Sequence, residues 1–154
     1  MIVHPSAVVD PGAEIGPDVE IGPHVVIEAN VVIGRGSTIG PGAYIAWGAR
    51  LGEEVRIFSY GIVGSIPQDL KFSGEETTCE IGDRTVIREF ATLNRGTSAH
   101  RRTVVGSDCL IMAYSHVAHD CIVGNHCILA NSATLAGHVT LEDWVIIGGL
   151  VPVH

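Results

Sequence analysis

Aromatic residues are scarce in this chain: only 5% of its 154 residues are Phe, Trp or Tyr, although 46% are hydrophobic. Globular cores are usually anchored on aromatic side chains, so a conventional globular core is not expected. The 19 glycines and the many aliphatic residues favour a core of small, stacked side chains instead. The length is that of one domain.

Positive charge is also in short supply, with nine Lys and Arg against 17 Asp and Glu and a formal net charge of −8. A nucleic-acid-binding domain normally has a basic face, so we expect no nucleic-acid partner. No apolar run approaches the roughly 18 residues of a membrane span, and the N-terminus lacks the basic and apolar parts of a secretory signal. We therefore expect no integral membrane segment and a cytoplasmic location.

The cysteines form no CxxC pair; they are Cys79, Cys109, Cys121 and Cys127. This spacing argues against a zinc ribbon and against a thioredoxin-type redox site. All four fall where the repeat described next has a small residue. We interpret them as small buried hydrophobes rather than as catalytic or disulfide-forming residues.

An aliphatic residue recurs every six positions along the chain. Counting from Val3, 23 of the 26 positions hold Val, Ile or Leu, and only Asp69, Glu75 and Ala99 break the pattern. A period of six is neither helical nor simply strand-like, and it is typical of hexapeptide β-helices. Each hexad would supply one short strand and one corner, with the aliphatic side chain inside and Gly, Asn or Pro shaping the turn.

The predicted fold is therefore all-β: one parallel β-helix domain over residues 1–154, shaped as a triangular prism. Three hexads would close one coil, and successive coils would stack at the strand spacing of about 4.8 Å. The repeat predicts between seven and eight such coils. Stability would come from neighbouring coils rather than from a globular core.

Two interruptions of the repeat predict excursion loops, at about residues 64–80 and 96–103. Loops on a rigid scaffold commonly carry function. Six of the nine basic residues lie between Lys71 and Arg102, which predicts a local patch for a phosphate or an acidic partner. The alternative is a scattered, solvated surface. His100, in the second loop, is interpreted as an exposed residue.

The histidines near the centre of the repeat are the candidates for chemistry. His116 and His119 flank the inward position, which belongs to Val117, so both imidazoles can project near one corner. Asp120 could orient an imidazole, and His138 lies one coil further along. The cluster fits a general base with helpers, a zinc site, or corner histidines bonded to turn carbonyls. Spacing alone does not choose between these three.

Four segments resemble a known family more specifically than the repeat does: PQDLKFSGE, IGDRTVIREFATLNRGT, MAYSHVAHDC and LANSATLAGHV. Over its whole length the chain is similar to the UDP-N-acetylglucosamine O-acyltransferases that begin lipid A synthesis. The resemblance implies a left-handed coil and a homotrimer with each active site between two rods. It also implies transfer of a 3-hydroxyacyl group from acyl carrier protein to the 3-hydroxyl of UDP-N-acetylglucosamine, with no metal and no cofactor.

The resemblance implies individual roles as well. His119 matches the general base, Asp120 would hold its imidazole, and the backbone N–H of Gly137 matches the oxyanion donor. Substrate-binding positions are matched by Asp69, Lys71, His116, His138 and His154. The family continues into further coils and a C-terminal helical domain, which we expect this chain to lack. The alternatives are a catalytically weak β-helix trimer that only binds ligand, or a zinc-dependent hydrase of the same fold.

Overall fold

The computed structural model describes residues 1–154 as a rod of 23 short parallel strands without any helix. Each strand is two to four residues long and ends at or near one of the recurring aliphatic residues. The strands form three sheets of eight, eight and seven strands, one on each face of a triangular prism. The coil is left-handed. The predicted fold is therefore confirmed.

The strands are numbered in chain order, and every third strand belongs to the same sheet. The first sheet contains β1 (Ile2–Val3), β4 (Glu20–Ile21), β7 (Thr38–Ile39), β10 (Arg56–Ile57), β13 (Val86–Ile87), β16 (Leu110–Ile111), β19 (Ile128–Leu129) and β22 (Ile146–Ile147). The second contains β2 (Val8–Val9), β5 (Val26–Ile27), β8 (Tyr44–Ile45), β11 (Ile62–Ser65), β14 (Thr92–Asn94), β17 (His116–Val117), β20 (Thr134–Leu135) and β23 (Pro152–Val153). The third contains β3 (Glu14–Ile15), β6 (Val32–Ile33), β9 (Ala49–Leu51), β12 (Thr78–Ile81), β15 (Arg102–Val105), β18 (Ile122–Val123) and β21 (Thr140–Leu141).

Strand pairing follows a register of three hexads, so that Ile21 pairs with Val3. The register is interrupted twice. Ile81 pairs with Leu51, five hexads earlier, and with Val105, four hexads later. Each interruption adds a whole number of hexads, and the aliphatic frame resumes in phase after both. This explains why the positions that break the repeat do not disturb the core.

Two loops account for the extra residues. Residues 66–77 join β11 to β12 and are called loop 1, and residues 95–101 join β14 to β15 and are called loop 2. Both loops leave the rod where the second sheet turns into the third. They therefore lie along the same edge of the prism.

The core is a single column of stacked aliphatic side chains. Ile27, Ile45, Leu93, Ile111 and Leu135, like most of the recurring aliphatic residues, are fully or almost fully buried. All four cysteines are buried free thiols, as predicted. Burial raises the pKa of the Cys79 thiol to about 12, so this sulfur stays protonated and unreactive at neutral pH.

Most of the glycines have a different role from the one that the sequence suggests, although Gly36 and Gly42 do lie at left-handed corners, at φ 70° and 68°. We expected glycine to shape the corners, but the left-handed corner residues are mostly not glycine, for example Tyr60 at φ 60° and His138 at φ 66°. The glycines that follow the aliphatic residues are needed for close stacking instead. A Cβ on Gly34 would lie only 2.4 Å from the carbonyl oxygen of Gly52 in the next coil. Backbone proximity, rather than backbone conformation, selects glycine there.

The inward frame can be tested at Val117, which is fully buried. Replacing Val117 by Asp should lower the free energy of unfolding by roughly 3 kcal/mol or more, because an unpaired carboxylate would be buried. Urea denaturation measures this change. The matched control is Thr140→Asp, since Thr140 points outward and is exposed. Equal stabilities of the two variants would contradict the frame.

Candidate active site

The candidate site lies on the edge where the second sheet turns into the third. We call this the histidine edge, and it comprises residues 46–49, loop 1, loop 2, residues 118–121 and residues 136–139. The edge collects side chains from different coils because the strand register repeats every three hexads. His119 and Gly137, for example, occupy equivalent positions in successive coils. Residues far apart in sequence therefore become neighbours along the rod.

His119 presents one free ring nitrogen. Its Nδ1 lies 2.8 Å from Oδ2 of Asp120, and its side chain is only 15% exposed. An ionised carboxylate can only accept a hydrogen bond, so Nδ1 must be the donor and we assign the ring proton to it. The lone pair of Nε2 is therefore available. Nε2 makes no hydrogen bond in the chain and faces Oδ2 of Asp69, 3.9 Å away. A free imidazole nitrogen of this kind can accept a proton from a substrate hydroxyl.

Asp120 is a fully buried carboxylate that four donors satisfy. Oδ1 accepts from the backbone N–H groups of Thr97, at 2.9 Å, and His100, at 3.2 Å. Oδ2 accepts from the Thr97 hydroxyl at 2.5 Å and from His119. Burial alone would raise the pKa of Asp120, but the hydrogen bonds from Thr97, His119 and His100 outweigh it and lower the pKa below its ordinary value. Asp120 is therefore a fixed negative charge beneath the imidazole.

A row of imidazoles extends from His119 along the edge. The ring of His138 packs edge-on against His119 at a centroid distance of 5.1 Å, and His100 packs edge-on against His138 at 5.2 Å. Nε2 of His138 is 3.8 Å from Oδ2 of Asp120, and the side chain is 48% exposed. His100 is exposed, as predicted, and in addition its Nδ1 lies 3.3 Å from the carbonyl oxygen of Asp120.

His116 lies beside this cluster with a different environment. It points outward from β17 and is half-buried, with Nδ1 2.7 Å from the hydroxyl oxygen of Thr92 in the preceding coil. Burial lowers the pKa of His116, and the nearby His119 lowers it further. His116 is therefore uncharged at neutral pH and suited to hydrogen bonding rather than to ion pairing.

Gly137 leaves room for the imidazole of His119. A Cβ at this position would lie 2.5 Å from Cε1 and 2.6 Å from Nε2 of His119, so no other residue fits without moving the ring. The backbone N–H of Gly137 donates no hydrogen bond within the chain. A free N–H next to a free imidazole nitrogen is the arrangement that stabilises a developing oxyanion.

The remaining predicted site residues are spread more widely. Asp69 in loop 1 is half-buried, and its Oδ1 accepts the backbone N–H of Lys71 at 3.0 Å. Lys71 itself is exposed. His154 is also exposed; it follows β23, which stacks on β20, so it lies one coil beyond Ala136. The structure thus brings Asp69, but neither Lys71 nor His154, into contact with the imidazole cluster.

Loop 1 is attached to the rod by a buried arginine that the sequence did not single out. The guanidinium of Arg95 contacts two aromatic rings, that of Trp47 at 4.9 Å and that of Phe72 at 5.3 Å from the ring centroid. Arg95 is 8% exposed, donates to the carbonyl oxygen of Trp47 at 3.1 Å and has no carboxylate partner. Cation–π contacts with both rings hold Phe72, and with it the loop that carries Asp69, against the rod.

The basic residues do not form the predicted single patch. Three of the six are ion-paired with carboxylates: Arg84 with Asp108 at 2.8 Å, Arg88 with Glu89 at 2.7 Å and Arg102 with Glu80 at 3.7 Å. Arg95 is buried. Because Arg84 lies between β12 and β13 and Arg88 between β13 and β14, these side chains lie on different edges of the prism. Apart from the buried Arg95, the alternative of a scattered, solvated surface describes them.

The metal-site alternative can be tested on the same geometry. Ligand atoms of His119, Asp120 and His138 lie within 4.8 Å of one another, and His116 is not part of this group. The four donors to Asp120 use the roughly four acceptor positions of a carboxylate, and Nδ1 of His119 is one of those donors. A metal would have to displace hydrogen bonds that already satisfy a buried charge, so these residues fit a hydrogen-bonded acid–base pair better than a metal centre.

The fold and this edge define a class, the hexapeptide-repeat β-helices with an imidazole–carboxylate pair on a corner. The family model described as bacterial transferase hexapeptide (six repeats) matches residues 1–35, 24–59 and 102–137. These matches cover more than half of the chain, which therefore belongs to the bacterial transferase hexapeptide family. The structure contains no helix that could cross a membrane.

Similarity to individual proteins is more specific, and it confirms the resemblance found in the four segments. The chain is 47% identical over 107 residues to the acyl-[acyl-carrier-protein]–UDP-N-acetylglucosamine O-acyltransferase of Campylobacter concisus, covering 68% of this chain and 41% of that protein. It is 60% identical over 74 residues to the Chlorobaculum parvum enzyme of the same name, covering 48% of this chain and 28% of that protein. The chain thus spans about two fifths or less of these relatives.

Solved structures agree over the whole rod. A UDP-N-acetylglucosamine acyltransferase from Bacteroides fragilis superposes with a TM-score of 0.98 at 48% identity, covering 99% of this chain and 60% of that chain. The corresponding protein from Campylobacter jejuni superposes with a TM-score of 0.94 at 46% identity, covering 99% and 60%. Both similarities extend through the two loops and the histidine edge.

The contact between Gly137 and His119 yields a test. Gly137→Ala should displace the His119 ring, break its hydrogen bond to Asp120 and shift the His119 side-chain signals in ¹H–¹⁵N spectra. The melting temperature should fall only modestly, because Asp120 loses one of its four donors while the core stays intact. Gly148→Ala is the control, since its added Cβ would meet nothing closer than 3.6 Å. Unshifted His119 signals in Gly137→Ala would contradict the described packing.

Proposed function

We propose that this chain carries the catalytic centre of an acyltransferase that moves a 3-hydroxyacyl group from acyl carrier protein to the 3-hydroxyl of UDP-N-acetylglucosamine. This would be the first step of lipid A biosynthesis. The observation that carries the proposal is the free Nε2 of His119, held over the buried Asp120 carboxylate beside the free N–H of Gly137. The names of the similar proteins supply acyl carrier protein and UDP-N-acetylglucosamine. The 3-hydroxyacyl group, the 3-hydroxyl and the place in lipid A synthesis come from the family resemblance of the four segments.

The chemistry follows from that geometry. Nε2 of His119 takes the proton of the sugar hydroxyl as its oxygen attacks the thioester carbonyl. Asp120 stabilises the resulting imidazolium through Nδ1–H. The N–H of Gly137 donates to the oxygen of the tetrahedral intermediate. When the C–S bond breaks, His119 returns the proton to the thiolate of the carrier protein, and the new ester and a free thiol leave. No cofactor takes part.

Substrate binding is assigned to the polar groups around this centre. Asp69 and Lys71 on loop 1 would contact the sugar nucleotide, and the uncharged His116 would accept or donate a hydrogen bond to it. His138 and His154 lie further along the rod and would position the sugar or the acyl group. The half-exposed ring of His138 supports this, because it leaves ring surface open to a ligand.

The active unit is proposed to be a homotrimer. A concave surface of the single chain runs along the first sheet around Ile21, Ile39 and Ile57, away from the histidine edge. The histidine edge itself is a ridge of the prism rather than a pocket. Catalysis needs a second wall to exclude water, and a neighbouring rod would supply it. Four buried free thiols fit a reducing compartment, and we keep the cytoplasm as the expected location.

The base assignment is tested with His119→Ala. Loss of a general base should lower kcat for acyl transfer from acyl carrier protein by about 10²- to 10⁴-fold. The variant should stay folded, with stability lowered by roughly 1–3 kcal/mol because the buried Asp120 carboxylate loses one of its four donors. The matched control is His126→Asn, because the ring of His126 stacks on Trp144, on an edge away from the histidine edge, and Asn tolerates the left-handed backbone there.

Three outcomes would contradict the proposal. Full activity in His119→Ala would exclude this residue as the base. Absence of acyl transfer in the unsubstituted chain, with ligand binding retained, would support a module that only binds. Stoichiometric zinc in the purified protein would instead support the hydrase alternative.

The trimer is tested separately by analytical ultracentrifugation. We expect a species of three times the 16.2 kDa mass of one chain, because the proposed active site needs an edge from one rod and a wall from the next. A monomer that retains full acyl-transfer activity would show that the second wall is not needed.

A further inference from the structure

Loop 2 contains a threonine that contacts both oxygens of the Asp120 carboxylate. The Thr97 hydroxyl donates to Oδ2 at 2.5 Å, and the Thr97 backbone N–H donates to Oδ1 at 2.9 Å. Both residues are buried, with Thr97 6% exposed and Asp120 1% exposed. Two donors from one residue to two oxygens fix the plane of a carboxylate as well as its position.

Two histidines lie close enough to compete for a hydrogen bond to the Asp120 carboxylate. Oδ2 of Asp120 is 2.8 Å from Nδ1 of His119 and 3.8 Å from Nε2 of His138. A small rotation about the Asp120 side chain would exchange a short contact to His119 for one to His138. The Thr97 hydroxyl, bonded to the same Oδ2, opposes that rotation. The side chain that decides which imidazole is oriented therefore belongs to loop 2.

We propose that Thr97 is a positioning residue: it holds the Asp120 carboxylate so that Oδ2 receives the Nδ1–H of His119, which keeps the His119 Nε2 lone pair directed at the substrate hydroxyl. This inference rests on the proposed role of His119 as the base. Thr97 itself touches no substrate and acts only through Asp120. The charged and titratable groups that face His119 are Asp120 on the same turn, His116 on the preceding strand β17, His138 in the next coil and Asp69 on loop 1. Those that face Asp120 are His119, His138 and, on loop 2, His100.

The hydroxyl and the backbone N–H can be separated by substitution. Thr97→Val removes the bond to Oδ2 but keeps the shape of the side chain and the N–H bond to Oδ1. Thr97→Ser keeps the hydroxyl. In Thr97→Val the Nδ1–H tautomer of His119 is no longer fixed, since the Asp120 carboxylate is then free to turn towards His138. In Thr97→Ser this tautomer should remain fixed.

A second buried threonine separates this role from a purely structural one. Thr85 is fully buried, its hydroxyl donates to the carbonyl oxygen of Gly106 at 2.6 Å and it accepts the N–H of Cys109 at 3.1 Å. The Thr97 hydroxyl likewise donates one bond and accepts one, from the N–H of Ala99 at 3.2 Å. Thr85→Val therefore removes a matched pair of bonds away from the histidine edge.

The experiment compares the full chain with Thr97→Val, Thr97→Ser and Thr85→Val. Side-chain ¹⁵N NMR measures the fraction of His119 protonated at Nδ1, and steady-state kinetics measure kcat and KM separately. We expect Thr97→Val to lower both the Nδ1–H fraction and kcat, the latter about 10- to 100-fold, with KM changed little. Thr97→Ser should restore both, and Thr85→Val should reduce stability without changing either.

The readouts distinguish this inference from the proposed function. An unchanged His119 tautomer in Thr97→Val would overturn the positioning role, whatever the enzyme does. The positioning role would also be overturned if Thr85→Val lowered kcat as much as Thr97→Val does, even with a changed tautomer in Thr97→Val. The loss of activity would then come from a general loss of structure. If His119→Ala keeps its activity, the proposed function fails, while the NMR measurement still decides whether Thr97 orients the pair.

Discussion

The structure depends on the vertical hydrogen bonding of each coil to the next. A strand of two residues has no stability of its own, and each one exists because its N–H and C=O groups bond to the coils above and below. His116, for example, donates its N–H to the carbonyl oxygen of Ala133 at 2.9 Å, and Thr92 donates to Ser115 at 3.0 Å. This ladder also tolerates left-handed corners at residues other than glycine, although each of these costs about 1 kcal/mol.

The same ladder makes the site possible. Residues three hexads apart in sequence lie only one strand spacing apart along the rod. Gly137 therefore lies against the ring of His119. The two loops enter at the edge that carries this ring and complete its environment from the side. Loop 2 supplies donors to Asp120, and loop 1 brings Asp69 towards Nε2. The rigid rod thus fixes the positions of His119 and Asp120. The loops add the hydrogen-bond donors and the second carboxylate around them.

The hexad frame predicted a large part of this arrangement. It identified the inward residues, the burial of all four cysteines, the in-phase interruptions and the outward placement of His116 and His119. It misjudged the glycines, because their role depends on the distance to the next coil. The basic patch was a separate prediction from the clustering of Lys and Arg along the chain. It was wrong because residues close in sequence lie on different edges of a prism whose direction changes with every hexad.

The loops hold the functional residues that the sequence did not reveal. Thr97, His100 and Arg95 lie in or at the start of loop 2, where no period assigns a direction to a side chain. A buried hydroxyl that bonds a carboxylate and one that bonds solvent look the same in a sequence. Only a signal tied to loop 2, such as the position of Thr97 shortly after a strand and directly after a glycine, could have drawn attention to it.

The sequence by itself determined the rod, its three faces and the side of each strand that points inward, because a hexad period admits only one way to bury its aliphatic residues. The tertiary structure alone decided which imidazole is oriented and which nitrogen stays free. That choice rests on contacts of 2.5 to 2.8 Å between loop 2, Asp120 and His119. Hydrogen bonds act over such short distances that no spacing along the chain specifies them.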